Sequence, residues 1–170
     1  MGFKWIGASL IILSCTACGF SIAAGKRREE QLLVQIQRTL QFMEMELSYR
    51  LTPLPELCKM AAAETKGTLR SVLMNLTREL CRQKLPDAGS CMAAAIGRNG
   101  ELPARVRSIL SQLGYSLGRY DLEGQLQGLK AVRKRTEESL CNIRRNRDDR
   151  LRSYQTLGIC AGAALAVILL

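Results

Sequence analysis

The sequence predicts an all-α protein, an antiparallel bundle of about six helices carrying N- and C-terminal transmembrane helices. Three observations support this. Apolar residues recur at spacings of three and four along most of the chain, which gathers them on one face of a helix. The prolines fall between those runs, and no segment alternates apolar with polar over more than a few residues, as a half-buried strand would. Two long uncharged runs, 5–24 and 154–170, flank everything else.

The first run extends from Trp5 to Ala24 between Lys4 and Lys26. At about 1.5 Å per residue it reaches ~30 Å, the thickness of one hydrocarbon core. From Arg27 to Arg50 the residues Leu33, Ile36, Leu40, Met43 and Leu47 mark one helix face. Thr52-Pro53-Leu54-Pro55 then breaks the pattern. A proline disfavours helix at the residue before it and suits a first helical turn, so Thr52 is the expected N-cap of a helix from about Pro53 to Glu64. Lys66-Gly67 closes that helix, and Thr68 is positioned to cap the next. Its stripe is Leu69, Val72, Leu73, Leu76 and Leu80, ending near Lys84.

Pro86-Asp87-Ala88 reads as a turn before a short alanine-rich helix around Ser90 to Ile96, and Arg98-Asn99-Gly100 as another. Leu102-Pro103 opens a helix through Val106, Ile109, Leu110 and Leu113 to about Leu117. Gly118 fits its C-terminal cap, and Asp121 fits the N-cap of a last helix carrying Leu122, Leu126, Leu129, Val132, Leu140 and Ile143. Nothing interrupts that helix before the second uncharged run, Tyr154 to Leu170, ~25 Å long at helical rise. The division is therefore a transmembrane helix over 1–25, a helical domain over 26–153 and a second transmembrane helix over 154–170.

The middle holds 24 of the 25 basic residues and all 15 acidic ones, a net +9. Lys26, Arg27 and Arg28 follow the first span, and Arg144, Arg145, Arg147, Arg150 and Arg152 precede the second. Basic residues at span ends favour the cytoplasmic side, which puts the middle in the cytoplasm and both termini outside. The same arginines would attract anionic headgroups, so a lipid-surface module is a second reading. A third is a lipoprotein, since Ile12-Leu13-Ser14-Cys15 loosely resembles a lipidation box, although the apolar run continues past Cys15 and the positive head is only Lys4.

The function classes narrow quickly. The chain has no histidine, which removes the ordinary catalytic triads, and no glycine-rich phosphate cradle. The cysteines match no zinc pattern, so no enzyme, cofactor or metal is expected, and Cys58, Cys81, Cys91 and Cys141 read as reduced, ordinary buried thiols. Nucleic-acid binding would want aromatic stacking, and the middle has few aromatics. In the spans, Cys15, Gly19 and Ala23 form one small-residue stripe and Gly158, Gly162 and Ala166 another, as close helix packing in lipid requires.

Two blocks carry a family likeness. One is Glu46-Leu47-Ser48-Tyr49 followed by Thr52-Pro53-Leu54-Pro55, and the other is Leu117-Gly118-Arg119-Tyr120-Asp121-Leu122-Glu123-Gly124-Gln125. Set between an N-terminal and a C-terminal span, they make the chain resemble the stage III sporulation protein AB family of endospore-forming bacteria over essentially its whole length. That resemblance implies a membrane component of the channel complex between mother cell and forespore, on the mother-cell side. It implies a likeness to the inner-membrane platforms of type II secretion and type IV pilus machines. The implied partners are the ATPase-like protein AA and other membrane components of the same complex. Both corners fall at the membrane-distal ends of helices leading back to the spans. Tyr49, Thr52, Leu54, Arg119, Tyr120 and Asp121 are therefore the candidate partner-binding residues, with Tyr49, Leu54, Arg119 and Tyr120 expected to be exposed.

Overall fold

The computed structural model of the chain describes residues 2–100, 102–118 and 121–169, with side chains over 25–100, 102–118 and 121–145. Six helices follow one another: α1 (Gly2–Arg50), α2 (Leu54–Glu64), α3 (Gly67–Arg82), α4 (Ala88–Gly97), α5 (Ala104–Ser116) and α6 (Leu122–Leu169). Among the described residues there is no strand.

The seam between α1 and α6 organises the rest. On α1 the periodic residues Leu33, Ile36, Leu40, Met43 and Leu47 are buried, and on α6 Leu129, Val132, Leu140 and Ile143. Arg133 Nε lies 3.0 Å from Glu44 Oε1, and Arg144 Nε lies 3.2 Å from Glu30 Oε1. Residue numbers fall along α6 as they rise along α1, so the two helices are antiparallel, as the sequence predicts. Consecutive helices pack on one another, and α6 returns to α1, closing a ring around one core. Each fully buried leucine in that core contributes ~1.5–3 kcal/mol through removal of apolar surface from water.

Close approach of α4 and α5 depends on a glycine. A Cβ added at Gly114 would stand 2.5 Å from Met92 Cβ and 3.3 Å from Gly89 Cα. Inside the bundle the Thr136 hydroxyl, fully buried, donates to the Val132 carbonyl at 2.8 Å. Glu79, also buried, holds Arg98 at 2.8 Å and Arg82 at 3.5 Å.

Several expected details change. Thr52 is not the cap of α2: Leu51 takes a left-handed conformation (φ 51°) to end α1, and the N-cap passes to Pro53, which offers no side-chain acceptor. Thr68 does not cap α3 either, because the helix begins at Gly67, which puts Thr68 inside the first turn. The cysteines divide, with Cys58 and Cys91 buried and Cys81 and Cys141 exposed. Burial, reinforced by nearby Cys81, pushes the Cys58 thiol up to about 12.

α1 and α6 run without a break through the two uncharged sequence runs, and at 49 and 48 residues each is some 70 Å long. Among the described residues no helix is long and apolar enough to cross a membrane. The side chains of both proposed spans, including Cys15, Gly19, Ala23, Gly158, Gly162 and Ala166, lie outside the described residues.

Candidate docking surfaces at the two ends of the bundle

The bundle has a near end, where α1 leaves residues 5–24 and α6 leads into 154–170, and a far end, where α1 stops and α6 starts. Two contacts bring other helix starts to the near end. Arg28 Nη2 donates to Thr68 Oγ1 at 3.4 Å, which fixes the start of α3 beside α1. Arg105 Nη1 lies 3.9 Å from Glu29 Oε1, which does the same for the start of α5.

The far end collects the starts of α2, α4 and α6. Gly118 has a φ of 72°, a left-handed conformation that glycine adopts without strain, and it turns the chain out of α5. A Cβ there would stand 3.2 Å from Leu54 Cδ2 and 3.7 Å from Ala88 Cβ. The corner after α1 and the corner after α5, separate in sequence, therefore touch. This contact corrects one expectation: Leu54 is half-buried against the core, not exposed, because it fills the space that Gly118 leaves.

The helix starts at the two ends are finished differently. The first few N–H groups of a helix have no partner within it and carry partial positive charge. At the far end, an Asp87 carboxylate oxygen accepts from the Ser90 N–H at 2.9 Å, and an Asp121 oxygen accepts from the Gly124 N–H at 3.0 Å. Asp121 is thus the cap the sequence predicts, and Glu56 and Glu123 add acid to the first turns of α2 and α6. At the near end, α3 and α5 have neither a side-chain cap nor an acid in the first turn.

Their surfaces differ as well. The far end exposes large apolar side chains: Tyr49 is 85 % exposed, Leu51 64 %, Tyr115 58 % and Leu122 40 %. Of the candidate partner residues, Tyr49 and Asp121 are on this surface, Thr52 and Leu54 are half-buried beneath it, and Arg119 and Tyr120 lie outside the described residues. Leu51, Tyr115 and Leu122 escape the sequence reading because an apolar residue beside a helical run reads as core. Only the left-handed turn at Leu51 and the end of α5 expose them.

The near end is basic. Arg27 on α1, Lys66 and Arg70 at the start of α3, Arg107 on α5 and Arg145 on α6 are exposed. Lys26 and Arg105 share buried Glu29, Lys26 at 3.2 Å. Among the described residues no three metal-ligating side chains cluster. What the arrangement offers is two contrasting surfaces joined by a long helical pair.

Comparisons with known proteins give a consistent answer. A family model described as stage III sporulation protein AB matches residues 4–170. A solved structure of a stage III sporulation protein AB is similar with a TM-score of 0.63 at 18% identity, covering 72% of this chain and 98% of that one. At that identity the likeness speaks for the helical fold. No curated protein matches the chain.

Proposed function

The chain belongs to the stage III sporulation protein AB family, and from that premise we propose that it is a non-enzymatic membrane platform in a sporulation channel complex. Residues 5–24 and 154–170 are its two spans, and the helical domain between them is cytoplasmic, on the mother-cell side. The far end docks the cytoplasmic ATPase-like protein AA, and other membrane components of the complex meet the spans.

The observation that carries this reading is the position of the exposed apolar cluster. Tyr49, Leu51, Tyr115 and Leu122 sit at the end opposite the two uncharged runs, where a cytoplasmic partner has access. Exposed aromatic and aliphatic side chains grouped this way favour burial against another protein. The apolar run that continues past Cys15 to Ala24 supports a span rather than a cleaved lipoprotein leader.

The described ion pairs also bear on the spans. Glu44 with Arg133 and Glu30 with Arg144 set the register of α1 on α6. Continued unchanged, that register would bring Gly19 level with 155–158 and Cys15 level with 159–162. Gly158 and Gly162 lie in those intervals, which supports packing of one span on the other through their small residues.

The test is binding of purified ATPase to the full chain reconstituted in nanodiscs. Tyr49→Asp combined with Leu51→Asp should weaken it at least tenfold while leaving helical circular dichroism unchanged. Unaltered affinity would refute docking at the far end.

A further inference from the structure

We propose that the near end of the bundle is a headgroup-binding surface for anionic phospholipid, built from α3 and α5 as well as from the two spanning helices. This rests on the membrane reading above and extends it, because the starts of α3 and α5 are distant in sequence from both spans. Their contacts with Arg28 and Glu29 set their height. Those residues follow Ala24, the last of the uncharged run, by four and five positions, about 6–7.5 Å along a helix. The headgroup layer on each side of a bilayer is ~5–7 Å deep. The loops before α3 and α5 therefore lie where lipid phosphates lie.

The chemistry at that level is predominantly positive. Arg27, Lys66, Arg70, Arg107 and Arg145 are exposed, and among the described residues none has a carboxylate within ion-pair distance. Of the described acids there, Glu29 is engaged by Lys26 and Arg105 and Glu30 by Arg144, which leaves exposed Glu64, at the end of α2, against the five cations. Five basic side chains from four helices, facing a low-dielectric boundary, match a layer of lipid phosphates and no compact single anion. A headgroup surface of this kind fixes the tilt of the bundle, since contact on the α3 and α5 side balances the rigid attachment through α1 and α6.

The experiment places the full chain in phosphatidylcholine nanodiscs containing a trace of phosphatidylglycerol with a photoreactive headgroup. A photoreactive phosphatidylcholine serves in a parallel sample, and adducts are mapped by mass spectrometry after digestion. Adducts at 65–70 and 103–107 should be enriched for phosphatidylglycerol and should fall with added salt. The combined Lys66→Gln, Arg70→Gln and Arg107→Gln variant should lose about tenfold or more of that enrichment. Lys66→Arg with Arg107→Lys should retain it, which separates charge from any disturbance of the fold. Equal labelling by the two lipids overturns the inference. Adducts at 25–28 and 150–154, which flank the spans, but none at 65–70 or 103–107 overturn it alone, and absence from both flanks overturns the membrane reading with it.

Discussion

The two ends of the bundle are made of the same parts, helix termini joined by short loops, but they are completed in opposite ways. At the far end Asp87 and Asp121 satisfy the N–H groups of α4 and α6 from within the chain. What remains outward is apolar: Tyr49, Leu51, Tyr115 and Leu122. At the near end α3 and α5 start without a cap, and the outward side chains are mainly cations. With α4 and α6 capped from within, the far end can bury apolar surface against a protein without stranding the donors at those two helix starts. A near end with excess positive charge attracts anions from outside.

The strongest way to break this comparison is to remove what joins the ends. Met43→Ala, in the α1–α6 seam, should cost about 2–5 kcal/mol, read as a lower denaturant midpoint with unchanged slope. Loss of hydrogen-exchange protection at one end only would show that the ends fold separately. Next in size is Gly114→Ala, which drives a methyl into Met92 where α4 meets α5. It should cost ~1–3 kcal/mol by the same measurement.

Cap substitutions sharpen the contrast directly. Asp87→Ala and Asp121→Ala should each destabilise by about 1 kcal/mol, as loss of an N-cap does. Lys66→Asp should act in the opposite sense in detergent, adding ~0.5–1 kcal/mol, because an acid there would accept from the open start of α3. Equal signs at the two ends would remove the distinction.

A further effect, comparable to a lost cap, depends on pH. Cys58, one turn into α2, has its thiol raised from an ordinary 9.0 to about 12 by burial and Cys81. Its folded pKa exceeds its unfolded one, so its contribution is complete below pH 9 and is lost as pH rises toward 12. By pH 10 the loss is about 1 kcal/mol. Comparing unfolding of the chain and of Cys58→Ala at pH 7 and pH 10 should show it as the variant's shallower decline.

Much of this architecture is written in local sequence. The stripes of α1, α3, α5 and α6 appear as three-and-four spacings, and Asp121 and Gly118 announce their corner because a cap and a left-handed turn depend on adjacent residues. Local rules failed where the chain chose between neighbours. Thr52 and Pro53 competed for the start of α2, and the left-handed turn at Leu51 decided it. Proximity across the sequence was beyond such rules. Nothing local says that Thr68 meets Arg28, or that Gly118 leaves room for Leu54. The far end was therefore legible as two corners but not as one surface, and the basic near end only as the residues flanking the spans.

In the proposed arrangement one end of the bundle lies against the membrane and the other stands clear of it. Genetically encoded spin labels at Lys66 and at Leu51, in the full chain in nanodiscs, test this through their relative exposure to dissolved oxygen and to a water-soluble nickel chelate. Between Arg28 and Arg50 α1 rises ~33 Å. The label at 66 should report headgroup depth and the label at 51 open water. Equal aqueous exposure at both positions would contradict the claim.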